Sequence, residues 1–495
     1  MGSDNTQSTK LNRLASFSAF DKIVLVVVII LLFAIGTVIL LGDRVGVTLV
    51  KVAPLGTARS TSQIIMQFSE TMKRDSLPAR LRVVQVKPGG KPDEFNESEV
   101  LATVSGDIKW NGTTLNFHPS AALLPGADYK VLLAPGATSD NGRRVLAEYR
   151  FGFTVSRPRV AYLAPASGSP LNVWLTDPAN PKTARQVTFS LSGIFGFDAS
   201  PDGTQIAFAE KKNDTGTADI KLLNLETGAI QQLTNCADAD CTNPVWRPDG
   251  QMIGYERTEN NKGINQAGFG ATRIWLIDLA TTPATTRPMF SDSQTLGYGL
   301  QWSADGNRVT VYDANSQGIR FHDFAKDTNI VIPSRYGAAG TLSPDGTRIV
   351  YPEVVLDQGQ ARSYLQFVNL QTQEIKKLSH PEDPIDDDTA AWSPDGKRLV
   401  IERRYGDSRN TRGRQTYLLN PDDGTVEPLI VDPRYNNGIF FWDPTGAQLL
   451  VQRFPELTAD NELNNKGTPE IWTYDMATKA LTQVAADAFF PRWVP

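Results

Sequence analysis

Chemistry in this sequence would have to come from a short list of residues. Cys236 and Cys241 are its two cysteines, set in a polar stretch with four residues between them. A zinc site would want further Cys or His ligands close by, and none is there. A local disulfide is therefore expected if the segment lies in an oxidising compartment, with unbridged surface thiols as the alternative. The three histidines, His118, His322 and His380, are scattered. His118 reads as a turn residue rather than a ligand, because no second His or Cys is near it. No G-x-S-x-G, H-E-x-x-H, G-x-x-x-x-G-K-[ST] or C-x-x-C pattern occurs to activate a serine, hold zinc, cradle phosphates or exchange thiols. GFGATR (Gly268–Arg273) lies outside any βαβ context and makes only a weak phosphate loop.

What remains is charge. Asp386, Asp387 and Asp388 stand together, with Glu382 and Asp383 just before them, and Asp238 and Asp240 lie between the cysteines. RRYGDSRNTRGR (Arg403–Arg414) brings five arginines, Arg403, Arg404, Arg409, Arg412 and Arg414, against one aspartate. The aspartate run could bind calcium, whose ligands are often carboxylate oxygens, but EF-hand spacing is missing and no cofactor is expected. A basic sector beside acidic ones on one face would suit a charged partner protein or a polyanionic envelope polymer. Solvated loops without a partner are the plain alternative.

The elements that must position these residues are short strands. In 495 residues there are 39 Gly and 31 Pro among runs rich in Val, Ile, Phe, Tyr and Trp. That composition predicts an all-β chain of two or three domains with many turns. A formal net charge of −5 implies no strongly basic surface, so no nucleic acid partner is expected.

One segment is different. Ile23 to Gly42 reads IVLVVVIILLFAIGTVILLG, twenty residues without a charge, long enough as a helix to span about 30 Å of hydrocarbon. A cleaved signal peptide would have a shorter apolar region and a small-x-small site; Asp43, Arg44 and Val45 follow instead. Residues 22–43 are thus expected to be a signal anchor, touching the membrane through 23–42. Lys10, Arg13 and Lys22 precede it against Arg44 and Lys51 after it. That bias places the N-terminal tail, residues 1–21, in the cytoplasm and the bulk of the chain outside.

Residues 52–156 carry alternating runs, SQIIMQFSE (Ser62–Glu70), ARLRVVQVK (Ala79–Lys87) and DYKVLLAPG (Asp128–Gly136), each bounded by turn residues, which predicts a two-sheet sandwich. Phe68-Ser69-Glu70-Thr71-Met72, Phe117-His118-Pro119, Leu124-Pro125-Gly126-Ala127-Asp128-Tyr129 and the closing run Tyr149–Thr154 resemble the bacterial Ig-like domains of surface-layer and cell-wall proteins. The resemblance implies a spacer or adhesive module.

Residues 157–495 repeat. Six times a strand ends in a tight polar turn and a second strand follows. The copies are FDASPDGTQIAFA (Phe197–Ala209), VWRPDGQMIGYE (Val245–Glu256), QWSADGNRVTVYD (Gln301–Asp313), TLSPDGTRIVYPE (Thr341–Glu353), AWSPDGKRLVIE (Ala391–Glu402) and FWDPTGAQLLVQ (Phe441–Gln452). Pro fixes φ as the first strand ends, Asp favours the turn and Gly takes a positive φ. A third strand such as RIWLIDL (Arg273–Leu279) and a fourth such as EIKKLS (Glu374–Ser379) complete a four-stranded unit, the pattern of a β-propeller blade. The S-P-D-G hallmark resembles the WD40-like repeat of the TolB-like propellers. After the sixth unit the chain runs FFPRWVP (Phe489–Pro495), which looks like an innermost strand. PRVAYLAP (Pro158–Pro165), NVWLTDP (Asn172–Pro178) and ARQVTFS (Ala184–Ser190) read as the three strands that lack one. Joining them predicts a composite seventh blade and a closed ring, with six blades as the alternative; closure would leave no open edge.

In such a ring the S-P-D-G turns share one face, and the loops between strands two and three share the other with the blade-to-blade links. Function is expected on the second face, which includes the loop Arg257–Arg273, Arg403–Arg414, Phe454–Thr468 and the aspartates above. The chain is expected to be a membrane-anchored extracytoplasmic scaffold of the bacterial cytoplasmic membrane, its propeller a docking platform for other envelope proteins. A surface adhesin or envelope-polymer-binding protein is one alternative. A propeller lyase or hydrolase with carboxylates at the central channel is another.

Overall fold

The computed structural model describes residues 19–42, 46–91, 93–212, 216–260, 268–357 and 359–495. The N-terminal tail up to residue 18, and residues 261–267 of the loop Arg257–Arg273, lie outside the described residues.

Ala19–Gly42 is a single α-helix of 24 residues, about 36 Å long at 1.5 Å per residue. Its described apolar side chains are exposed all round, from Val24 and Val28 at 44% to Phe33 at 76%. Counting only residues whose side chains are described, no stretch has the length and apolarity of a membrane crossing.

The first β unit is a sandwich. One sheet runs Leu49–Ala53, Ile64–Phe68, Thr114–Pro119, Gly106–Asn111, and the other runs Gly56–Ala58, Tyr149–Val155, Asp128–Leu133, Leu81–Val86, Val100–Thr103. Alternation produces the core: Ile64, Met66 and Phe68 are buried while Ile65 and Gln67 are not, as the two-residue strand period requires. Tyr129 and Phe153 stack at 5.6 Å between ring centroids. His118 sits on the strand Thr114–Pro119, opposite Asp107, and not in a turn. Burial and the nearby Lys109 lower its pKa.

In the second unit the described residues form seven four-stranded antiparallel sheets. Sheet 1 is Ile194–Ala199, Gln205–Lys211, Ala218–Asn224, Ile230–Gln232, and sheet 2 is Ala239–Trp246, Met252–Asn260, Phe269–Asp278, Thr285–Pro288. Sheet 3 is Gly297–Trp302, Arg308–Asp313, Gly318–Asp323, Thr328–Pro333, and sheet 4 is Thr341–Leu342, Arg348–Asp357, Gln360–Asn369, Ile375–Lys377. Sheet 5 is Ile385–Trp392, Leu399–Tyr405, Gln415–Leu419, Val426–Ile430, and sheet 6 is Tyr435–Trp442, Gln448–Pro455, Glu470–Asp475, Leu481–Ala486. The remaining sheet is composite: Asn180–Gln186, Asn172–Asp177, Arg159–Ala164 and then Phe489–Val494. That last strand pairs Val494 with Arg159 and Trp493 with Val160.

Each sheet shares an apolar cluster with the next. Ile206 and Leu223 of sheet 1 pack with Leu163 and Val494 of the composite sheet, and Ile220 packs with Trp246 and Ile253 of sheet 2. The succession continues through sheets 3 to 6 and returns when Leu450 and Ile471 meet Val160 and Trp493. The neighbour relation is therefore cyclic.

The turn chemistry is visible atom by atom. The turn glycines Gly203, Gly250, Gly306, Gly346, Gly396 and Gly446 have φ between 65° and 73°, where a side chain would be strained. Asp202 Oδ1 accepts the Thr204 N–H at 3.1 Å, and Asp395 Oδ1 does the same for Lys397. The serine adds a role beyond those of Pro, Asp and Gly. Ser200, Ser303, Ser343 and Ser393 each accept, at 2.9–3.0 Å, the backbone N–H five residues on. Three tryptophans stitch neighbouring sheets: Trp392, Trp442 and Trp493 donate Nε1–H to the carbonyls of Thr341, Ala391 and Phe441, whereas Nε1 of Trp246 and of Trp302, before the turns of sheets 2 and 3, has no partner among the described residues. Trp493, on the final strand, thus does what Trp442 does one sheet earlier.

Candidate functional site

The aspartate run and the first two arginines are on strands, not in loops. Asp386, Asp387 and Asp388 belong to Ile385–Trp392, and Arg403 and Arg404 to the neighbouring Leu399–Tyr405, in register Asp386 to Arg404 and Asp387 to Arg403. Strand pairing carries on past the apolar stretch because each carboxylate meets a guanidinium opposite. Arg403 donates to both oxygens of Asp387 at 2.7 Å, with both side chains buried. Burial alone would lower the Arg403 pKa, but the Asp387 carboxylate outweighs it and holds the guanidinium charged. Asp386 takes 2.8–2.9 Å bonds from Arg414 and Arg404 and a further 3.0 Å bond from the Ser363 N–H. Burial would raise Asp386, yet these partners win and its pKa is lowered.

The last three predicted cations are also spoken for. Arg414 reaches Asp388 at 3.6 Å as well as Asp386, Arg412 bonds Glu456 at 2.9 Å, and Arg409 bonds Asp407 while lying 3.7 Å over the Tyr405 ring. Those Arg409 bonds hold the Asp407 pKa down at about 2. The expected free basic sector is a set of internal ion pairs. The calcium reading fails for the same reason: the three carboxylates answer to different partners, and among the described residues no group of His, Cys, Asp or Glu could hold a metal ion.

Cys236 and Cys241 are bridged. They are not in an open polar loop: both are buried in the cluster that sheets 1 and 2 share, and Cys241 lies on the strand Ala239–Trp246.

The inner strands bring together residues the sequence reading passed over. Glu402, 8% exposed, is a carboxylic acid held neutral: burial first, then the Asp388 charge, pushes its pKa up to about 8. It accepts from the backbone of Ile439 and the Thr389 side chain, and a Cβ at Gly438 would come within 2.9 Å of it. The same place in sheets 2 and 6 holds Glu256 and Gln452, which accept the Gly299 and Phe490 N–H groups at 2.9 and 2.8 Å. Gly299, Ile439 and Phe490 all have positive φ, so each acceptor secures a left-handed step in the first strand of the next sheet, one that costs strain at Ile439 and Phe490. The signal was the acidic or amide residue six positions after the turn glycine in three repeats. Tyr336 donates to Asp388 and, with Tyr298 and Asp388, borders a recess of about 340 Å³ floored by Gly337, Ala338 and Gly340. Burial and that carboxylate raise the Tyr336 pKa. On the composite sheet, Arg492 faces Asp198 of sheet 1 at 3.6 Å and stacks 4.0 Å over Phe441 of sheet 6. Burial raises Asp198 despite Arg492 and lowers Arg492 despite Asp198.

His322, on the third strand of sheet 3, hydrogen-bonds Asn329 through Nδ1 at 3.0 Å and packs edge-on to Phe324. His380 is exposed beside Glu382. The histidines stay apart.

Fold and site together define an Ig-like module followed by a β-propeller in which the strongest charges pair with one another. Known proteins agree piecewise. Residues 43–155 match the bacterial Ig-like domain family, and residues 180–335 match the N-terminal β-propeller domain of prolyl oligopeptidases. Dipeptidyl-peptidase 5 of Porphyromonas gingivalis is 30% identical over 128 residues, 24% of this chain and 17% of that one. Intraflagellar transport protein 172 of Chlamydomonas reinhardtii is 23% identical over 337 residues, 58% of this chain and 17% of that one. The chain thus spans about a sixth of the length of the curated relatives it matches. Similar solved structures include TolB from Acinetobacter baumannii, at 18% identity and a TM-score of 0.37 over 65% of this chain and 78% of that one. Another is the oligogalacturonate lyase of Vibrio parahaemolyticus, at 15% and 0.44 over 67% and 87%. At these scores the structural likenesses carry no functional weight.

Proposed function

We propose that the chain is a membrane-tethered extracytoplasmic scaffold, with a seven-bladed propeller as its docking platform in a bacterial envelope assembly. The observation that carries the reading is the helix Ala19–Gly42, apolar and exposed on every described side. A helix apolar all round belongs inside a large core or a bilayer, and the described apolar side chains of this one are left exposed by the described residues. The Cys236–Cys241 bridge supports an oxidising compartment for the propeller, which fits the basic bias ahead of the helix. Beyond the helix, the Ig-like module is the spacer and the loop face of the ring the binding surface.

Fractionation tests the tether. The full chain is expected to stay with membranes through alkaline carbonate washing, and a variant lacking residues 19–42 to be released. Thiol alkylation in intact cells tests the side: Cys236 and Cys241 should be unreactive until reduced. A wild-type chain washed off by carbonate, or free thiols in cells, would defeat the reading. The match to the prolyl oligopeptidase propeller covers residues 180–335, a propeller segment alone, so a hydrolase reading would need serine-directed probes to label this chain.

A further inference from the structure

The link from the composite sheet into sheet 1 carries its side chains inside out. Along 187–195, Thr188 is 1% and Ser190 6% exposed, whereas Phe189 is 74%, Leu191 88% and Phe195 45% exposed. Between the buried core residues Val187 and Ile194, the polar Thr188 and Ser190 face the protein while Phe189 and Leu191 face solvent.

The inversion is enforced by hydrogen bonds. Thr188 Oγ1 accepts the Val173 N–H at 2.8 Å and donates to Asn172 Oδ1 at 3.0 Å. Asn172 Oδ1 also accepts the Ser190 N–H at 2.7 Å, its Nδ2 donates to the Ser190 carbonyl, and Ser190 Oγ accepts the Gly193 N–H. The ring builds this link twice more, where Thr234 accepts the Ile220 N–H and Ser379 accepts the Leu365 N–H. There the outward residue after the hydroxyl is Asn235 or His380; here it is Phe189. The repeat holds this position in water, and this one copy places an aromatic ring there, with Leu191 after it.

Single exposed apolar residues are ordinary, but several bordering one recess mark a contact surface. Phe189 and Leu191 wall a recess of about 560 Å³ whose far side carries Lys211, Lys212 and Lys221 with Glu210 and Asp219. Lys212 pairs with Asp219 at 3.4 Å and Lys221 with Glu210. Lys211 instead lies 5.9 Å over the Phe195 ring, unpaired with any carboxylate among the described residues. An ammonium with no carboxylate partner among the described residues therefore stands at the apolar rim.

We propose that this recess docks an acidic amphipathic segment of a partner protein, apolar side chains against Phe189 and Leu191 and a carboxylate on Lys211. The assignment rests on the platform reading and gives it a contact point.

The test uses the full chain in zwitterionic lipid nanodiscs, with empty discs as the blank, and two fluorescent peptides read by anisotropy. One alternates leucine and glutamate on amphipathic spacing, and the other has lysine for each glutamate. The glutamate peptide is expected to bind at least about tenfold more tightly than the lysine peptide. Phe189→Ser and Leu191→Ser should each weaken it about tenfold, and Lys211→Glu should reverse the preference. Leu356→Ser, which removes a side chain 76% exposed on sheet 4, should change nothing. Equal binding by wild type and Leu191→Ser overturns the proposal. So does a leucine-dependent dimer in sedimentation, which would make the occupant a second copy, or leucine-dependent binding to the empty discs. If Leu191→Ser keeps its co-purifying partners as wild type does, this recess is wrong while the platform reading stands.

Discussion

Replacing Glu402 by glutamine should stabilise the propeller at alkaline pH and leave it almost unchanged in acid. The folded carboxyl has a pKa of about 8 against an ordinary value of 4.5. Between those values the unfolded chain has released a proton that the folded chain still holds, so raising the pH favours unfolding. The loss begins near pH 4.5, grows through the neutral range and is complete just above pH 8. A separation of about 3.5 units at 1.36 kcal/mol each gives a change on the order of 5 kcal/mol. The amide of the Glu402→Gln variant keeps a carbonyl to accept the Ile439 N–H and removes the titration. Urea unfolding followed by tryptophan fluorescence reads the propeller well, because Trp110 is the one tryptophan of nine before residue 157. The variant-minus-wild-type difference isolates Glu402 from every other titrating group. It should rise with pH and level off above about 8. A difference that is flat from about pH 5 to about pH 9 would refute the buried neutral acid.

Three further outcomes follow from the contacts within the propeller. Arg403→Ala strands the fully buried Asp387 carboxylate and should cost about 3–5 kcal/mol, whereas Arg403→Met with Asp387→Leu should recover most of it in the same urea titration. Deleting Phe489–Pro495 removes the inner strand of the composite sheet, together with Trp493 and the Arg492–Asp198 contact. The whole propeller should melt at lower temperature in calorimetry, and an unchanged melt would rule out ring closure by that strand. Opening the bridge with Cys236→Ser and Cys241→Ser should cost about 2 kcal/mol from loop entropy, read as an equal loss of stability when the wild type is reduced.

The repeat was legible because each of its letters answers to one local force. Gly203 and its equivalents sit at positive φ, turn aspartates such as Asp202 accept the N–H two residues on, and the apolar triplets after each turn fill the clusters between sheets. The composite sheet could be read for the same reason: WVP at the chain's end is W-S-P without its turn, and Trp493 makes the bond its repeat partners make. The charged site was not legible. Asp386–Asp388 and Arg403–Arg414 have the composition of loops, and only the register of two strands shows that Arg403 lies opposite Asp387 and Arg404 opposite Asp386. Cys236 and Cys241 misled similarly, since acidic neighbours made a buried bridge look like a surface loop. Glu402 was hidden by its type: a lone glutamate reads as solvated until the next sheet closes over it.

These pairings move the search for a partner away from the strongest charges in the sequence. Arg403, Arg404 and Arg414 would have to leave buried or half-buried carboxylates to bind anything else, and breaking such pairs is costly. Seven shared clusters, the tryptophan stitches and the carboxyl-to-backbone bonds meet the needs of the ring from inside. Residues that point outward from equivalent links carry none of that duty. Phe189, Asn235 and His380 stand in three such links, each behind a hydroxyl making the same backbone bond. Their identities are therefore unconstrained by folding, and an aromatic ring where the fold would accept an asparagine is better explained by contact than by stability.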